Sequence, residues 1–348
     1  MTNSLIIAPQ WIGDAVMTEP FLRALAGRGE HLSVAALPWV APVYRAMQQV
    51  ADVIELPFAH GRLDWAQRRQ SAAELRGRFD VAYVLPNSIK AALIPWLARI
   101  PRRVGYQGEG RPLLLNQRLP NPQGRPPMVA FYSALARLGS SAAAEEHLAL
   151  GAGHETSSRP RLSFSAQTLH AATAAAQVQA GAFWVFAPGA EYGPAKCWPA
   201  EHYATLAQTL FALHHQPVVL LGSGKEAALC EQISRAAPNA CIVLAGKTKL
   251  LDAMALIAVA RGVVSNDSGL MHVAAAFGVP QAAVFGSTSP EHTPPLNARA
   301  QVLWLKHELP LACSPCFDRV CRFGHTRCLT EITPQRVEKA LDLALATA

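Results

Sequence analysis

Four short segments carry residue types whose spacing suits chemistry on an anionic ligand. The first, Ala8-Pro9-Gln10-Trp11-Ile12-Gly13-Asp14-Ala15-Val16, leaves an apolar run, turns at Gly13 and enters a helical stretch with Asp14 at its start. A carboxylate there is stabilised by unpaired helix amides and the helix dipole, so Asp14 reads as a cap. The same position suits a general base kept ionised at neutral pH. Spacing does not separate the two. The second segment runs from Ala187 to Pro199 and contains Gly189, Ala190 and Lys196. Its glycines let the backbone approach a ligand, and Lys196 is either a point charge for phosphate or a solvated loop lysine.

The third segment, Leu221-Gly222-Ser223-Gly224-Lys225-Glu226, looks like the end of a phosphate-binding P-loop and fails its test. That motif requires Gly where Val219 stands and Ser or Thr where Glu226 stands. An ATPase is excluded; Ser223 and Glu226 remain as a ligand-touching turn or a plain strand-to-helix turn. The fourth, Val264-Ser265-Asn266-Asp267-Ser268-Gly269-Leu270-Met271-His272, ends a buried run, offers Asp267 and Ser268 as caps and opens an apolar helix at Gly269. Free amides at such a helix start form an anion site suited to pyrophosphate, and His272, one turn in, adds a donor. The alternative is a capped helix with a satisfied histidine. A further small-residue loop, Phe285-Gly286-Ser287-Thr288-Ser289-Pro290, follows the next apolar run.

Seven cysteines argue against a disulfide scaffold in a chain this long. Cys313, Cys316, Cys321 and Cys328 cluster around His325, and the first pair has zinc-like C-x2-C spacing while the second does not. Reduced thiols in a compact loop are the favoured reading, with no metal assigned. No G-x-G-x-x-G follows the first strand, which argues against a dinucleotide oxidoreductase. No Asp-x-Asp occurs, which removes a common metal–diphosphate anchor.

These loops need elements to hold them. The 348 residues are 51% hydrophobic and 16% charged, enough for two domains with sizeable cores and too apolar for a mainly disordered chain. The net charge of +7 has no basic run behind it, so a pocket for anions is expected rather than nucleic-acid binding. The start of the chain lacks a basic region and a long apolar core, and no stretch reaches about 18 apolar residues. The expectation is a soluble cytoplasmic protein, with peripheral contact at the inner membrane open.

Short apolar runs alternate with stretches of helical periodicity, the pattern of βα units and parallel sheets. Strands are expected at 5–8, 32–36, 53–56, 81–85 and 104–106, then at 183–187, 218–221, 241–244, 262–265 and 281–285. Helices fit 15–26, 40–49, 89–98, 128–138, 200–213, 225–236, 250–260 and 269–277, and 107–127 reads as a loop. The polar stretch 151–165 is the expected linker. The domains expected are 1–165 and 166–333, with a C-terminal helix, 334–348, packing back on the first. Ligands of open α/β sheets bind beyond the C-terminal ends of the strands, where the four segments fall.

Taken together, Gln10 to Met17, Pro188-Gly189-Ala190 through Lys196-Cys197-Trp198-Pro199, Asn266 to His272 and the Cys313–Cys328 segment resemble the ADP-heptose:lipopolysaccharide heptosyltransferases of glycosyltransferase family 9. The resemblance spans nearly the whole chain. It implies a GT-B fold: two Rossmann-like domains with parallel sheets facing a cleft, acceptor in the N-terminal half and nucleotide sugar in the C-terminal half. It implies inverting, metal-independent transfer of L-glycero-D-manno-heptose from ADP-heptose to the lipid A-linked inner core (heptosyl-Kdo2-lipid A), with no cofactor. It makes Asp14 the base, Lys196 the catalytic donor contact, and Asp267, Ser268, Gly269 and His272 donor contacts, joined by Gly189, Ala190 and Ser223. Glu226 is the candidate acidic contact to the ribose, and Ala190-Glu191 stand where some relatives carry Thr or Ser. Gly13 and the bases Lys90, Arg102, Arg103 and Arg111 are the expected acceptor contacts. Another nucleotide sugar, another heptosyltransferase subtype and a nucleotide-sugar-binding module without activity stay open.

Overall fold

The computed structural model describes residues 1–58, 63–139, 159–309 and 311–347, so the first part of the expected linker, 151–158, lies outside the described residues. The chain divides into two compact units, Met1–Ser163 and Phe164–Ala348.

The first unit is built on β1 (Asn3–Ile7), β2 (His31–Ala36), β3 (Val50–Glu55), β4 (Val81–Val84), β5 (Arg102–Tyr106) and β6 (Gln117–Leu119). They form one parallel sheet in the order β3-β2-β1-β4-β5-β6. Leu5, Ile7, Ala82 and Val84 of the central strands join one core cluster with Ile94 and Leu115. Continuous apolar runs are what central strands of a parallel sheet need, since helices cover both faces. The chain moves outward from β1 to β3 and returns to β4 beside β1, so the strand order reverses between β1 and β4. That reversal opens the crevice where such sheets bind ligands.

The second unit repeats the plan with β7 (Trp184–Ala187), β8 (Val218–Leu220), β9 (Cys241–Val243), β10 (Gly262–Asn266), β11 (Gln281–Phe285) and β12 (Ala300–Trp304). The order β12-β11-β10-β7-β8-β9 is again parallel and reverses between β7 and β10. Every residue of β7, β10 and β11 is buried. The loop after β7 and the loop after β10 therefore emerge side by side.

Differences from the sequence reading have local causes. Strand β6 is only three residues, Gln-Arg-Leu, inside a stretch read as loop, and β12 is a half-exposed edge strand whose short apolar run, Val302-Leu303-Trp304, follows a polar, proline-rich stretch. Helices Trp65–Leu75 and Ala166–Ala176 are rich in Ala, Gln and Arg and lack an apolar stripe strong enough to announce them. The single helix expected over 15–26 is two, Ile12–Met17 and Glu19–Ala26. Thr18 Oγ1 donates to the Ala15 carbonyl at 2.6 Å and Pro20 offers no amide, so the ladder breaks at Thr18.

The break leaves Glu19 buried, and burial pushes its carboxyl above the usual range. It accepts from Gln49 Nε2 at 3.0 Å and the Arg161 amide at 3.1 Å, with Arg23 Nη1 at 3.2 Å. Arg23 also donates to the Arg159 carbonyl at 3.2 Å, which fastens residues 159–161 to the first unit.

The C-terminal helix Pro334–Ala346 packs its buried face, Val337, Ala340, Leu341 and Ala344, on β10, β11, β12 and helix Ala200–His214 of the second unit.

Candidate functional site

In the second unit the loop leaving β7 is fastened to the end of β10 by Asn266. Its buried amide donates from Nδ2 to the Pro188 carbonyl at 2.6 Å, while Oδ1 accepts from the Trp198 amide at 2.9 Å and Tyr203 Oη at 3.1 Å. Both ends of the loop are thereby held. Between them, Lys196 Nζ reaches Asp267 Oδ2 at 2.6 Å, with the lysine side chain 14% and the aspartate 5% exposed. Thr288 Oγ1 donates to the same Oδ2 at 2.6 Å, and Lys196 also lies over the Tyr192 ring at 4.9 Å. A buried pair of this kind stands only when further polar contacts satisfy it, and Thr288 and the Asp267 carbonyl supply them.

Helix Gly269–Ala276 starts directly after this pair, with Ser268 as its N-cap residue. The Ser268 and Ser287 hydroxyls are buried without a hydrogen-bond partner. His272 is buried in the same helix, and burial, aided by the Lys196 charge and opposed by Asp267, lowers its imidazolium to about 4. It is neutral at pH 7. A helix start, an ammonium, unpartnered hydroxyls and a neutral histidine together suit a diphosphate.

On the β8 side, Glu226 Oε2 accepts from the Ser223 amide at 2.6 Å in a capping turn. Its carboxylate lies over Gly189: a Cβ added there would sit 1.8 Å from Glu226 Oε1. Gly189 is thus required by the carboxylate above it. Ala190 is half-buried next to it and Ser223 is exposed. The structure brings Gly189, Ser223 and Glu226 together on one flank of β7, and Lys196, Asp267, Ser268 and His272 on the other.

The cysteine-rich segment supports the Lys196 loop from outside. The Phe317 amide donates to the Ser287 carbonyl at 2.7 Å, the Ala195 amide to the Arg319 carbonyl at 3.1 Å, and Tyr192 Oη to the Phe317 carbonyl. Gly193, at φ 151°, lies so close that a Cβ would meet the Arg319 carbonyl oxygen at 2.4 Å. Cys313, Cys316, Cys321 and Cys328 line one small pocket with Ala195, Ser287 and His325. Among the described residues, no three His, Cys, Asp or Glu side chains are grouped to hold a metal ion. Burial pushes the Cys328 thiol up to about 11, while backbone amides from Thr326 and its neighbours lower that of Cys321.

In the first unit Asp14 stands in the first turn of helix Ile12–Met17, with Gly13 before it, at the crevice end of β1. Tyr132 Oη donates to Asp14 Oδ1 at 2.8 Å. Lys90 also follows a crevice-side strand end, early in helix Ile89–Leu97 after β4. The other expected acceptor bases are corrected. Arg111 is fully buried and its guanidinium donates to the Pro86 carbonyl at 2.9 Å, to Asn87 Oδ1 at 2.6 Å and to the Tyr106 carbonyl. It clamps the loops after β4 and β5 together. Arg103 spends its guanidinium on the Leu114 and Ile100 carbonyls at 2.7 and 2.6 Å. Arg102 and Arg103 open β5, so they sit at the edge of the sheet opposite the crevice.

Residues 68–327 match the model of glycosyltransferase family 9 (heptosyltransferase). The chain is 37% identical over 98% of its length to lipopolysaccharide heptosyltransferase 2 of Escherichia coli K12, covering 98% of that protein. It is 37% identical to lipooligosaccharide heptosyltransferase 2 of Haemophilus influenzae, with 99% of each covered. The solved structure of E. coli ADP-heptose LPS heptosyltransferase II superposes with a TM-score of 0.83 at 35% identity, covering 99% of this chain and 98% of that one. The chain belongs to glycosyltransferase family 9.

For this glycosyltransferase, the paired six-stranded parallel sheets are those of a GT-B-like heptosyltransferase. Sequence reasoning missed Asn266, Thr288, Tyr192 and Tyr132. Asn266, Thr288 and Tyr192 lie inside segments quoted for other reasons, and an Asn at the end of an apolar run before Asp is the kind of buried polar residue that signals a clamp. Tyr132 gave no signal, because its partner is 118 residues away.

Proposed function

We propose that this family 9 enzyme transfers L-glycero-D-manno-heptose from ADP-heptose to the heptosylated inner core of lipid A-linked lipopolysaccharide, with inversion and without a metal ion. The observation that carries the donor half is the Lys196–Asp267–Thr288 set beside the start of helix Gly269–Ala276. The acceptor class rests on full-length similarity to heptosyltransferase 2 proteins.

Inversion takes one displacement. The acceptor hydroxyl attacks the anomeric carbon as the bond to the diphosphate oxygen breaks, and its proton passes to Asp14. Charge growing on the departing ADP is met by Lys196, the amides opening the helix at Gly269 and the Ser268 and Ser287 hydroxyls. His272, neutral, is a donor to the leaving group and not a second cation. Gly189 and Glu226 flank the ribose, with Glu226 accepting from its hydroxyls. Gly13 and Lys90 are the acceptor-side contacts. Among the described residues no helix is long and apolar enough to cross a membrane. We place the enzyme in the cytoplasm, touching the inner membrane only where its lipid-anchored acceptor requires.

Mass spectrometry of transfer from ADP-heptose to core acceptors bearing one heptose or none tests the reading. Mono-heptosylated acceptor gains one heptose, and UDP- and GDP-sugars do not substitute. Transfer to the heptose-free acceptor alone overturns the subtype, and loss of activity with chelator overturns the metal-free mechanism.

A further inference from the structure

Tyr132 is 4% exposed, and its Oη donates to Asp14 Oδ1 at 2.8 Å. It sits on helix Met128–Ala134, whose Phe131 stacks on Tyr106 of β5 at 4.0 Å. Tyr106 Oη donates back to the Phe131 carbonyl at 2.6 Å, so the helix carrying Tyr132 is fixed against the sheet. The phenol is therefore delivered to Asp14 by a rigid support.

Burial, reinforced by the Asp14 charge, holds the Tyr132 phenol far above its ordinary range. It stays protonated and acts towards Asp14 as a donor. Tyr44 approaches from helix Ala41–Arg45, is also buried, and is likewise pushed up by burial and by Asp14. Its hydroxyl lies 3.3 Å from Thr18 Oγ1. Two buried phenols thus approach the carboxylate from the packed helices, and both stay protonated.

We propose that Tyr132 is a positioning residue for the reaction: by fixing Asp14 Oδ1 it sets the plane of the carboxylate and favours its charged, base-competent form. This rests on Asp14 being the base. The bond runs from helix Met128–Ala134 to helix Ile12–Met17, so it ties the Asp14 torsion to a support outside its own short helix. A hydrogen bond to the charged form both restricts the torsion and keeps the group ionised at lower pH. During transfer the proton goes from the acceptor hydroxyl to Asp14, and Tyr132 keeps its own.

The test uses the full chain carrying Tyr132→Phe, Asp14→Asn or both, assayed for heptose transfer across pH. Asp14→Asn is expected to lose turnover by about a hundredfold or more. Tyr132→Phe is expected to lower kcat by roughly tenfold and to leave donor KM and ADP affinity unchanged. It should also move the acidic limb of kcat/KM up by about one pH unit, as loss of a charge-assisted hydrogen bond requires. In the Asp14→Asn background it should cost nothing further. A Tyr132→Phe profile superimposable on the parent's overturns the proposal while leaving Asp14 as base. An equal loss in both backgrounds overturns it too, since the effect would then be packing. Asp14→Asn at near-parental turnover removes the base and this role together.

Discussion

Lys196 is one of 31 basic residues, and nothing in its neighbours along the chain separates it from a solvated loop lysine. What separates it is a buried carboxylate at 2.6 Å. Removing one member of a buried pair costs more than removing both, because the survivor keeps its desolvation cost. Lys196→Ala is expected to weaken ADP binding by tenfold or more in calorimetry and to lower stability by about 3 kcal/mol. Adding Asp267→Asn should recover much of the stability and none of the ADP affinity. Gly189 gives a second residue-scale test. In Gly189→Ala the new methyl displaces the Glu226 carboxylate, whose Oε1 would be 1.8 Å away. Donor KM should rise with little change in thermal midpoint, as the flank opens toward solvent; a variant with parental KM would remove Glu226 from the donor site.

At the scale of elements, single polar side chains hold loops where the ligand crevice needs them. Arg111 joins the loops after β4 and β5 by donating to the Pro86 and Tyr106 carbonyls. Arg111→Ala leaves those carbonyls without their donor, and denaturant unfolding of the first unit is expected to show a loss of roughly 3 kcal/mol. Were Arg111 an acceptor contact alone, stability would stay at the parental value and only KM would move. Asn266 does the same work between β10 and the Lys196 loop, with three partners within 3.1 Å. Asn266→Ala should cost about 2–3 kcal/mol and raise donor KM together, since the loop it fastens carries Lys196. The broken helix at Thr18 belongs here too. A hydroxyl bonded to a carbonyl three residues back and a proline two residues on end one helix and start another, which confines Asp14 to a short first segment.

Across the whole molecule, the same strand order in both units places one reversal in each sheet, and both catalytic proposals sit beside a reversal. The buried, neutral His272 ties the stability of the molecule to pH. Its imidazolium lies at about 4 in the folded chain against an ordinary 6.5. The unfolded chain therefore takes up this proton first, and stability falls as pH drops from above 6.5, levelling below about 4. The full effect is about 3 kcal/mol. Thermal midpoints of His272→Gln should fall less steeply than the parental ones between pH 6.5 and 4; parallel curves would mean that His272 is charged in the fold.

The strands with continuous apolar runs, the loops that follow them and the family were legible in the sequence, because burial on both faces of a parallel sheet imposes local composition. Edge strand β6 was not, since an edge needs no such run, and the half-exposed β12 offers only the short run Val302-Leu303-Trp304. Asp14, Lys196, Asp267 and His272 could be named from segment and resemblance. Which bases face the crevice could not: Arg102 and Arg103 lie at the opposite edge and Arg111 is consumed by carbonyls, facts of strand direction and packing. The sequence by itself determined which chain segments become the site, because those choices follow from composition along the chain. Only the tertiary structure decided which side chains those segments meet. Tyr132 reaches Asp14 and Lys196 reaches Asp267 across 118 and 71 residues, distances that sheet topology closes and local pattern does not record.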